Sequence, residues 1–427
     1  MSQQSTKHEF RAEISQLLNL VANSLYGDAQ IFIRELISNS SDALEKARQH
    51  NILTGSTSQE DPFQIKVSFD KDKSELTFVD NGCGMNQTEL VEFLGTVANS
   101  GTSNLIKQLS SKSEKHELIG QFGVGFYSTF IVAKTVEVTS LKHGDDPKNA
   151  TMWRAVTGEN SYETMPAEME QSGTIVRLIL KDEHKEYLDR WKLEQVITKY
   201  SDYISFPIML EKQPIDESSD DSETDDKSDA VVEEPSEQSP EWEQVNHASA
   251  IWTRQRKDIS EEDYQSFYKH ISHDSENPSR WSHFKIEGKQ EFSGILYLPS
   301  KAPWDLAYRD KRTGGLKLFV QRVFIMDEAD QLIPIYLRFI KGVIDSNDLP
   351  LNVSREILQN SRATQTIKQT VTKRVLTMLE DFAKDTPDDY LKFWKTFGNT
   401  LKEGVGEDFS NKDRLLGLMR FSFSMAS

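Results

Sequence analysis

Hydrophobic positions along the chain repeat with two different periods. Phe10, Ile14, Leu17, Leu18, Val21 and Leu25 recur at helical spacing, and Gly27 supplies a stop. A second helix is expected from about Ala29 to Arg48. Then the period changes. Ile65, Val67 and Phe69 alternate with polar residues, Asp70-Lys71-Asp72-Lys73 turns the chain, and Leu76 and Phe78 alternate again. This predicts a hairpin whose second strand runs into Asp80-Asn81-Gly82. Further strands are expected at Thr135–Thr139, Thr151–Val156 and Thr174–Leu180. Strands and helices are interleaved, so residues 1–212 read as one α/β layered domain.

Between Gln213 and Glu241 the alternation lapses. Asp216, Glu217, Asp220, Asp221, Glu223, Asp225, Asp226, Asp229, Glu233, Glu234 and Glu237 stand against Lys227, with no aromatic residue before Trp242. Such a segment buries too little to offset chain entropy, which predicts a disordered, self-repelling linker over 213–241. An acidic segment that binds basic partners has the same composition. A second domain is expected over 242–427. Its predicted strands are Phe292–Leu298 and Leu316–Phe324, and its predicted helices are Arg362–Ala383, Asp388–Leu401 and Lys412–Arg420. Trp252, Trp304 and Tyr308 are read as core rather than as client-contact aromatics.

Composition narrows the function. The 427 residues carry a net charge of -18, so no basic surplus exists to displace counterions from nucleic acid or to seek an anionic membrane surface. Cys83 is the only cysteine, which forbids an intrachain disulfide and suits a reducing compartment. The start has no apolar signal-peptide core, and no stretch approaches a membrane span. A cytoplasmic protein is expected.

The chemistry lies in a few polar clusters. On the second helix, Ile33, Ile37 and Leu44 share one face, while Glu35, Asn39 and Asp42 fall close together on the opposite one. That stripe reads either as a solvated face or as a pocket wall, whose carboxylate and amide oxygens suit Mg²⁺ and an attacking water. Asp80-Asn81-Gly82-Cys83-Gly84-Met85 ends a strand. It reads as an Asn-Gly turn, or as a place where backbone approaches a flat ligand and a fixed carboxylate meets an exocyclic amine. Gly120-Gln121-Phe122-Gly123-Val124-Gly125-Phe126-Tyr127-Ser128 is a Gly-rich turn opening a helix, either a hinge or a phosphate cradle, and it is not a P-loop. Gly173-Thr174 leads a strand and offers a hydroxyl for an adenine edge or a bound water.

The order and content of these clusters resemble the nucleotide site shared by gyrase, heat-shock chaperone, histidine-kinase and MutL ATPases. Leu94-Gly95-Thr96-Val97-Ala98-Asn99-Ser100-Gly101-Thr102, Leu316–Ile325 and Asp348–Gln359 narrow the resemblance to the ninety-kilodalton heat-shock chaperones, bacterial branch. It implies an N-terminal ATPase sandwich with a lid at about 96–121. An αβα middle domain with a helical C-terminal end follows, and the family's C-terminal dimerisation domain is expected to be absent. By the same resemblance Glu35 is the general base or water-orienting carboxylate, and Asn39 holds Mg²⁺. Asp80 recognises the adenine amino group, with Gly84, Met85 and Thr174 beside it, and Asp42 and Lys46 line the nucleotide. The run Gly120, Gln121, Phe122, Gly123, Val124, Gly125 and Phe126 borders the phosphates. Arg355 reaches the γ-phosphate, supported by Asn352 and Gln359.

The implied activity is slow ATP hydrolysis that drives closure and remodelling of non-native client proteins. Other chaperones are possible partners, and the chain is expected to be monomeric or weakly dimeric although the family dimerises. A nucleotide-gated client-binding or competitor fragment without useful turnover is the alternative, and a DNA-repair or topoisomerase relative a distant third. Asn99 and Ser103 stand where the family carries lysine, which implies a weaker grip on phosphates. Cys83 replaces an aliphatic residue and puts a thiol near the adenine.

Overall fold

The computed structural model describes residues 28–55, 61–95, 119, 125–212, 240–288, 290–302, 306, 315–347, 349 and 361–421. They form two compact units that divide between Ala248 and Ser249. The predicted helix from Phe10 to Leu25, most of the acidic segment, Trp304 and Tyr308 lie outside the described residues.

The first unit is built on helix α1 (Ile31–Thr54), strands β1 (Ile65–Asp70) and β2 (Glu75–Asp80), helices α2 (Gln87–Leu94) and α3 (Thr129–Val132), strands β3 (Ala133–Leu141), β4 (Ala150–Val156), β5 (Tyr162–Ala167) and β6 (Gly173–Leu180), helix α4 (Arg190–Ser201), and strands β7 (Ile208–Glu211) and β8 (Trp242–Gln244). The strands make an eight-stranded sheet in the order β5-β4-β3-β6-β2-β1-β7-β8. α1 packs on β1 and β2 and against α4, giving the layered α/β architecture expected.

The sheet's inner face follows the period-two pattern. Ile65, Val67 and Phe69 point inward from β1, and Leu76 and Phe78 from β2. Val136 and Val138 do so from β3, and Leu178 and Leu180 from β6. At one end of the three neighbouring strands β2, β6 and β3 the inward positions turn polar: Asp80 pairs with Thr174, and Thr174 with Ser140. α1 extends beyond the expected Arg48 to Thr54, where Gly55 caps it with φ +65°. Its polar stripe is not a solvated face. Glu35 and Asp42 are buried along with Ile33, Ile37 and Leu44, and of the stripe Asn39 alone is exposed. The helix is enclosed on both sides, which is what a pocket wall requires.

Trp242–Gln244, expected to open the second domain, pairs antiparallel with β7 and so belongs to the first unit's sheet. The second unit contains helix α5 (Glu261–Ser272), strands β9 (Arg280–Ile286), β10 (Phe292–Leu298), β11 (Leu316–Val320), β12 (Val323–Met326) and β13 (Lys341–Ser346), then helices α6 (Arg362–Asp385), α7 (Pro387–Glu407) and α8 (Lys412–Leu418). The sheet runs β12-β11-β13-β10-β9. The single strand expected over Leu316–Phe324 is a hairpin, turned at Gln321 and Arg322 with φ +51° and +66°. Paired positive φ values match the right-handed twist of the flanking strands. Every residue of β10 is buried, so both sheet faces are covered. Leu296, Leu318 and Ile344 share a core with Ile367, Val371, Phe393 and Phe397 of α6 and α7. Trp252 is buried, its ring tilted against those of Phe267 and Phe319.

Candidate nucleotide site

The site is assembled where α1 crosses the polar end of β2, β6 and β3. Asp80 closes β2 at an inward position, so its carboxylate is buried rather than solvated. Its Oδ1 accepts the Gly82 N–H at 3.0 Å. The Ser40 hydroxyl on α1 and the Thr174 N–H also donate to this carboxylate. Burial nevertheless dominates and pushes the carboxyl up to about 7, against those three donors. An acid so placed lacks full compensation for its charge.

The turn after Asp80 is locked by backbone. The Cys83 N–H donates to Ala43 O at 3.0 Å, and Cys83 O accepts the His143 N–H at 2.9 Å. Gly84 has φ +56°, and a Cβ there would lie 1.9 Å from Leu141 O. Only glycine combines that left-handed backbone with such close approach. Met85 then donates its N–H to Ser140 Oγ at 2.8 Å. Ser140 Oγ lies 3.0 Å from Thr174 Oγ1, so the turn, β3 and β6 meet at one hydroxyl. Burial pushes the Cys83 thiol up to about 11, although Lys46 pulls the other way.

At the other end of α1, the Glu35 carboxylate is buried beside Arg34, whose Nε and Nη2 donate to Oε1 at 3.1 and 3.0 Å. Arg34 in turn lies over the Tyr200 ring at 5.7 Å. Oε2 borders Gly125: a Cβ at that glycine would sit 2.3 Å away. Asp42 Oδ1 accepts the Ile119 N–H at 2.7 Å. The chain entering and leaving the Gly-rich run is therefore tied to the polar side of α1. Phe126 faces away into an aromatic group with Phe130 and Trp153.

The structure thus brings Glu35, Asn39, Asp42, Lys46, Asp80, Gly84, Met85, Gly125 and Thr174 onto one helix and the adjoining strand ends. Gly120, Gln121, Phe122, Gly123, Val124, Asn352, Arg355 and Gln359 lie outside the described residues, as do Asn99 and Ser103. Ser140 was absent from the residues the sequence singled out. Its signal was there: a serine takes the inward position after Val136 and Val138 in an otherwise apolar alternation.

Donor chemistry fits the expected metal. Asn39 offers an exposed carboxamide oxygen one helical turn from Glu35, a hard donor of the kind Mg²⁺ takes together with water and phosphate oxygens. Among the described residues no group of three or more His, Cys, Asp or Glu side chains could hold a metal by itself. Nor is any described helix long and apolar enough to cross a membrane.

Residues 18–185 match the family described as histidine kinase-, DNA gyrase B- and HSP90-like ATPase, and residues 186–427 match the Hsp90 protein family. The chain is 49% identical over 424 residues to the chaperone protein HtpG of Shewanella amazonensis, covering 99% of this chain and 65% of that protein. It is 48% identical over 429 residues to the HtpG of Vibrio parahaemolyticus, covering 99% of this chain and 64% of that relative. The chain therefore spans about 65% of the length of the relatives it matches.

Proposed function

The chain belongs to the Hsp90 family and carries that family's ATPase domain, and from that premise we propose that it binds and hydrolyses ATP with Mg²⁺ to drive remodelling of non-native proteins. The observation that carries the proposal is the buried Asp80 carboxylate, held at about 7 by burial and flanked by glycine turns. Its environment suits a ligand that brings an N–H donor, and an adenine amino group is such a donor.

The division of labour follows from placement. Asp80, Thr174 and the Gly84–Met85 backbone take the base. Asp42 and Lys46 take the middle of the nucleotide, and the run around Gly125 takes the phosphates through backbone N–H groups. Glu35 orients the attacking water. Arg34 fixes its Oε1 and Gly125 lets the phosphate end approach Oε2, so the carboxylate is positioned before substrate arrives. Asn39 would hold Mg²⁺, which when bound neutralises phosphate charge. Arg355 supplies positive charge to the terminal phosphate, and a cytoplasmic site of action with non-native proteins as partners completes the reading.

Glu35→Ala tests the assignment. Turnover should fall by at least about a hundredfold while ADP affinity stays within a few-fold, because the carboxylate acts in the chemical step. Steady-state phosphate release and calorimetric titration give both numbers. Lost ADP affinity would make Glu35 a structural residue, and unchanged turnover would remove it from the chemistry.

A further inference from the structure

His50 on α1 and His143, just beyond β3, bring their rings together on the surface of the first unit. The ring centroids are 5.4 Å apart and the planes are inclined by 69°. Both residues are exposed. Such a pair of imidazoles has two readings. One is ring packing, which stabilises little at an exposed place. The other is a chelate. Zinc bonds imidazole nitrogen at about 2.0–2.1 Å in tetrahedral geometry, which sets two ligand rings roughly 5 Å apart, centroid to centroid. The observed spacing meets that requirement. Exposed side chains can turn about χ2, so each ring can aim a nitrogen at the space between them.

His143 has a further feature of a ligand. Its Nδ1 lies 3.4 Å from the Ser172 hydroxyl. A hydroxyl that accepts from Nδ1–H leaves the lone pair on Nε2, the way an outer partner fixes the tautomer of a metal-bound imidazole. Among the described residues no group of three or more His, Cys, Asp or Glu is placed to hold a metal, so water completes the shell. Charge does not favour a cation here. Lys46 stands one helical turn before His50, and Lys142, next to His143, is bonded to Glu89 Oε1 at 2.5 Å. Coordinate bonds to nitrogen must carry the affinity, which selects Zn²⁺, Ni²⁺ or Cu²⁺ over hard, oxygen-seeking Mg²⁺. We propose that His50 and His143 form a two-ligand site for a divalent transition-metal ion. It lies about three helical turns along α1 from Asn39 and is separate from the Mg²⁺ position there. The placement has a consequence. The Cys83 N–H donates to Ala43 O on α1, and Cys83 O accepts the His143 N–H. An ion held by His50 and His143 joins the same two segments again and clamps the turn that follows Asp80.

Calorimetric titration of the whole chain with Zn²⁺, without nucleotide and with Mg²⁺ in large excess, tests the site. The double variant His50→Ala/His143→Ala gives the background of the remaining histidines. Above that background the wild type should bind one ion. Either single variant should weaken that ion at least about tenfold, because a chelate loses its second, intramolecular bond. Two independent surface histidines would instead leave each single variant with half the stoichiometry at unchanged affinity. Both side chains are exposed, so these variants should keep the wild-type circular-dichroism spectrum. Hydrogen exchange reads the clamp: Zn²⁺ should slow the peptides carrying the Cys83 and His143 N–H groups in the wild type and in neither single variant. A wild-type titration that matches the double variant overturns the site, as does half stoichiometry in the single variants or displacement of Zn²⁺ by Mg²⁺. One ion bound through both histidines with unchanged exchange overturns the clamp.

Discussion

In the second unit, Trp252 donates its indole N–H to Asp345 Oδ2 at 2.8 Å, and Asp345 Oδ1 accepts the Arg322 N–H at 3.2 Å. His283 lies between the Tyr264 hydroxyl at 2.7 Å and Trp252 O at 3.0 Å. The carbonyl fixes the tautomer: Nε2 donates and Nδ1 accepts from Tyr264. Burial holds His283 below its ordinary range, so it stays neutral. Each proton in this cluster has a destination inside the fold. In the first unit, the row Asp80–Thr174–Ser140 is as buried and as well connected, yet Asp80 is pushed up to about 7. Both clusters are buried and polar. In one, the polar groups pair with one another inside the core; in the other, burial outweighs the donors around Asp80 at the candidate site. Burial of polar groups does not mark a site, whereas incomplete compensation of a buried charge does.

The largest expected contrast comes from breaking one acid in each cluster. Asp80→Asn should weaken ADP binding by at least about a hundredfold, because an amide oxygen carries no charge and half of the amide is a donor. It should not lower stability at pH 7, since the acid it replaces is poorly compensated there. Asp345→Ala should do the reverse. It leaves the Trp252 N–H and Arg322 N–H without their acceptor and should cost about 2–4 kcal/mol in denaturant unfolding of the second unit. ADP affinity should be untouched. If Asp345→Ala weakens ADP while the fold persists, or Asp80→Asn unfolds the first unit, the contrast collapses.

The next effect is a pH dependence. In the unfolded chain Asp80 titrates at its ordinary value, and in the native protein near 7. Between those values the native state binds more protons than the unfolded one. Stability from this group is therefore full below the unfolded value and is lost as pH rises toward 7, by about 1.4 kcal/mol per pH unit at most. Asp80→Asn should remove that slope. An amine ligand favours the ionised form, so ADP affinity should rise up to tenfold per unit until about pH 7 and then level off. Calorimetry in two buffers of different ionisation enthalpy should show proton release at pH 6.5 and little at pH 8.5. No release at pH 6.5 would mean that Asp80 is already ionised in the empty site.

Much of this arrangement was legible in the chain. Period-two alternation located β1 and β2 and placed Asp80 at the end of an inward row. The Gly-rich motifs located the turn at Gly84 and the approach at Gly125. The burial of Glu35 and Asp42 was not legible, because helical spacing alone cannot tell a solvated stripe from one enclosed by strand ends and the Gly-rich run. The hairpin at Gln321–Arg322 was hidden because neither residue is a glycine, and the extension of the first sheet by Trp242–Gln244 because that pairing bridges residues far apart in the chain. Ser140 was hidden for a different reason. Its inward place marks a polar residue in an apolar row, but only the register shows that it sits beside Thr174.

The smallest expected effect concerns Cys83, whose thiol the family resemblance puts near the adenine. Its backbone is pinned on both sides, by Ala43 O and by the His143 N–H. Burial raises the thiol to about 11 from an ordinary value of 9.0. The thiolate is the nucleophile, so its fraction at pH 7.5 should be roughly a hundredfold below that of a free cysteine. Lys46 opposes this only in part, while Asp80 and Glu89 add to it. Maleimide labelling followed by mass spectrometry should therefore be about a hundredfold slower than for a model thiol. The rate should climb about tenfold per pH unit through pH 9. Because the empty protein already suppresses the thiolate, saturating ADP should change the rate by no more than a few-fold. Labelling at the rate of a free thiol, blocked by ADP, would instead mean that the thiol opens into the base pocket and that its burial is relieved there. Asp80→Asn sharpens the test by removing one of the anions that raise the thiol: labelling should speed up slightly, and a slower rate would show that the two groups do not face each other.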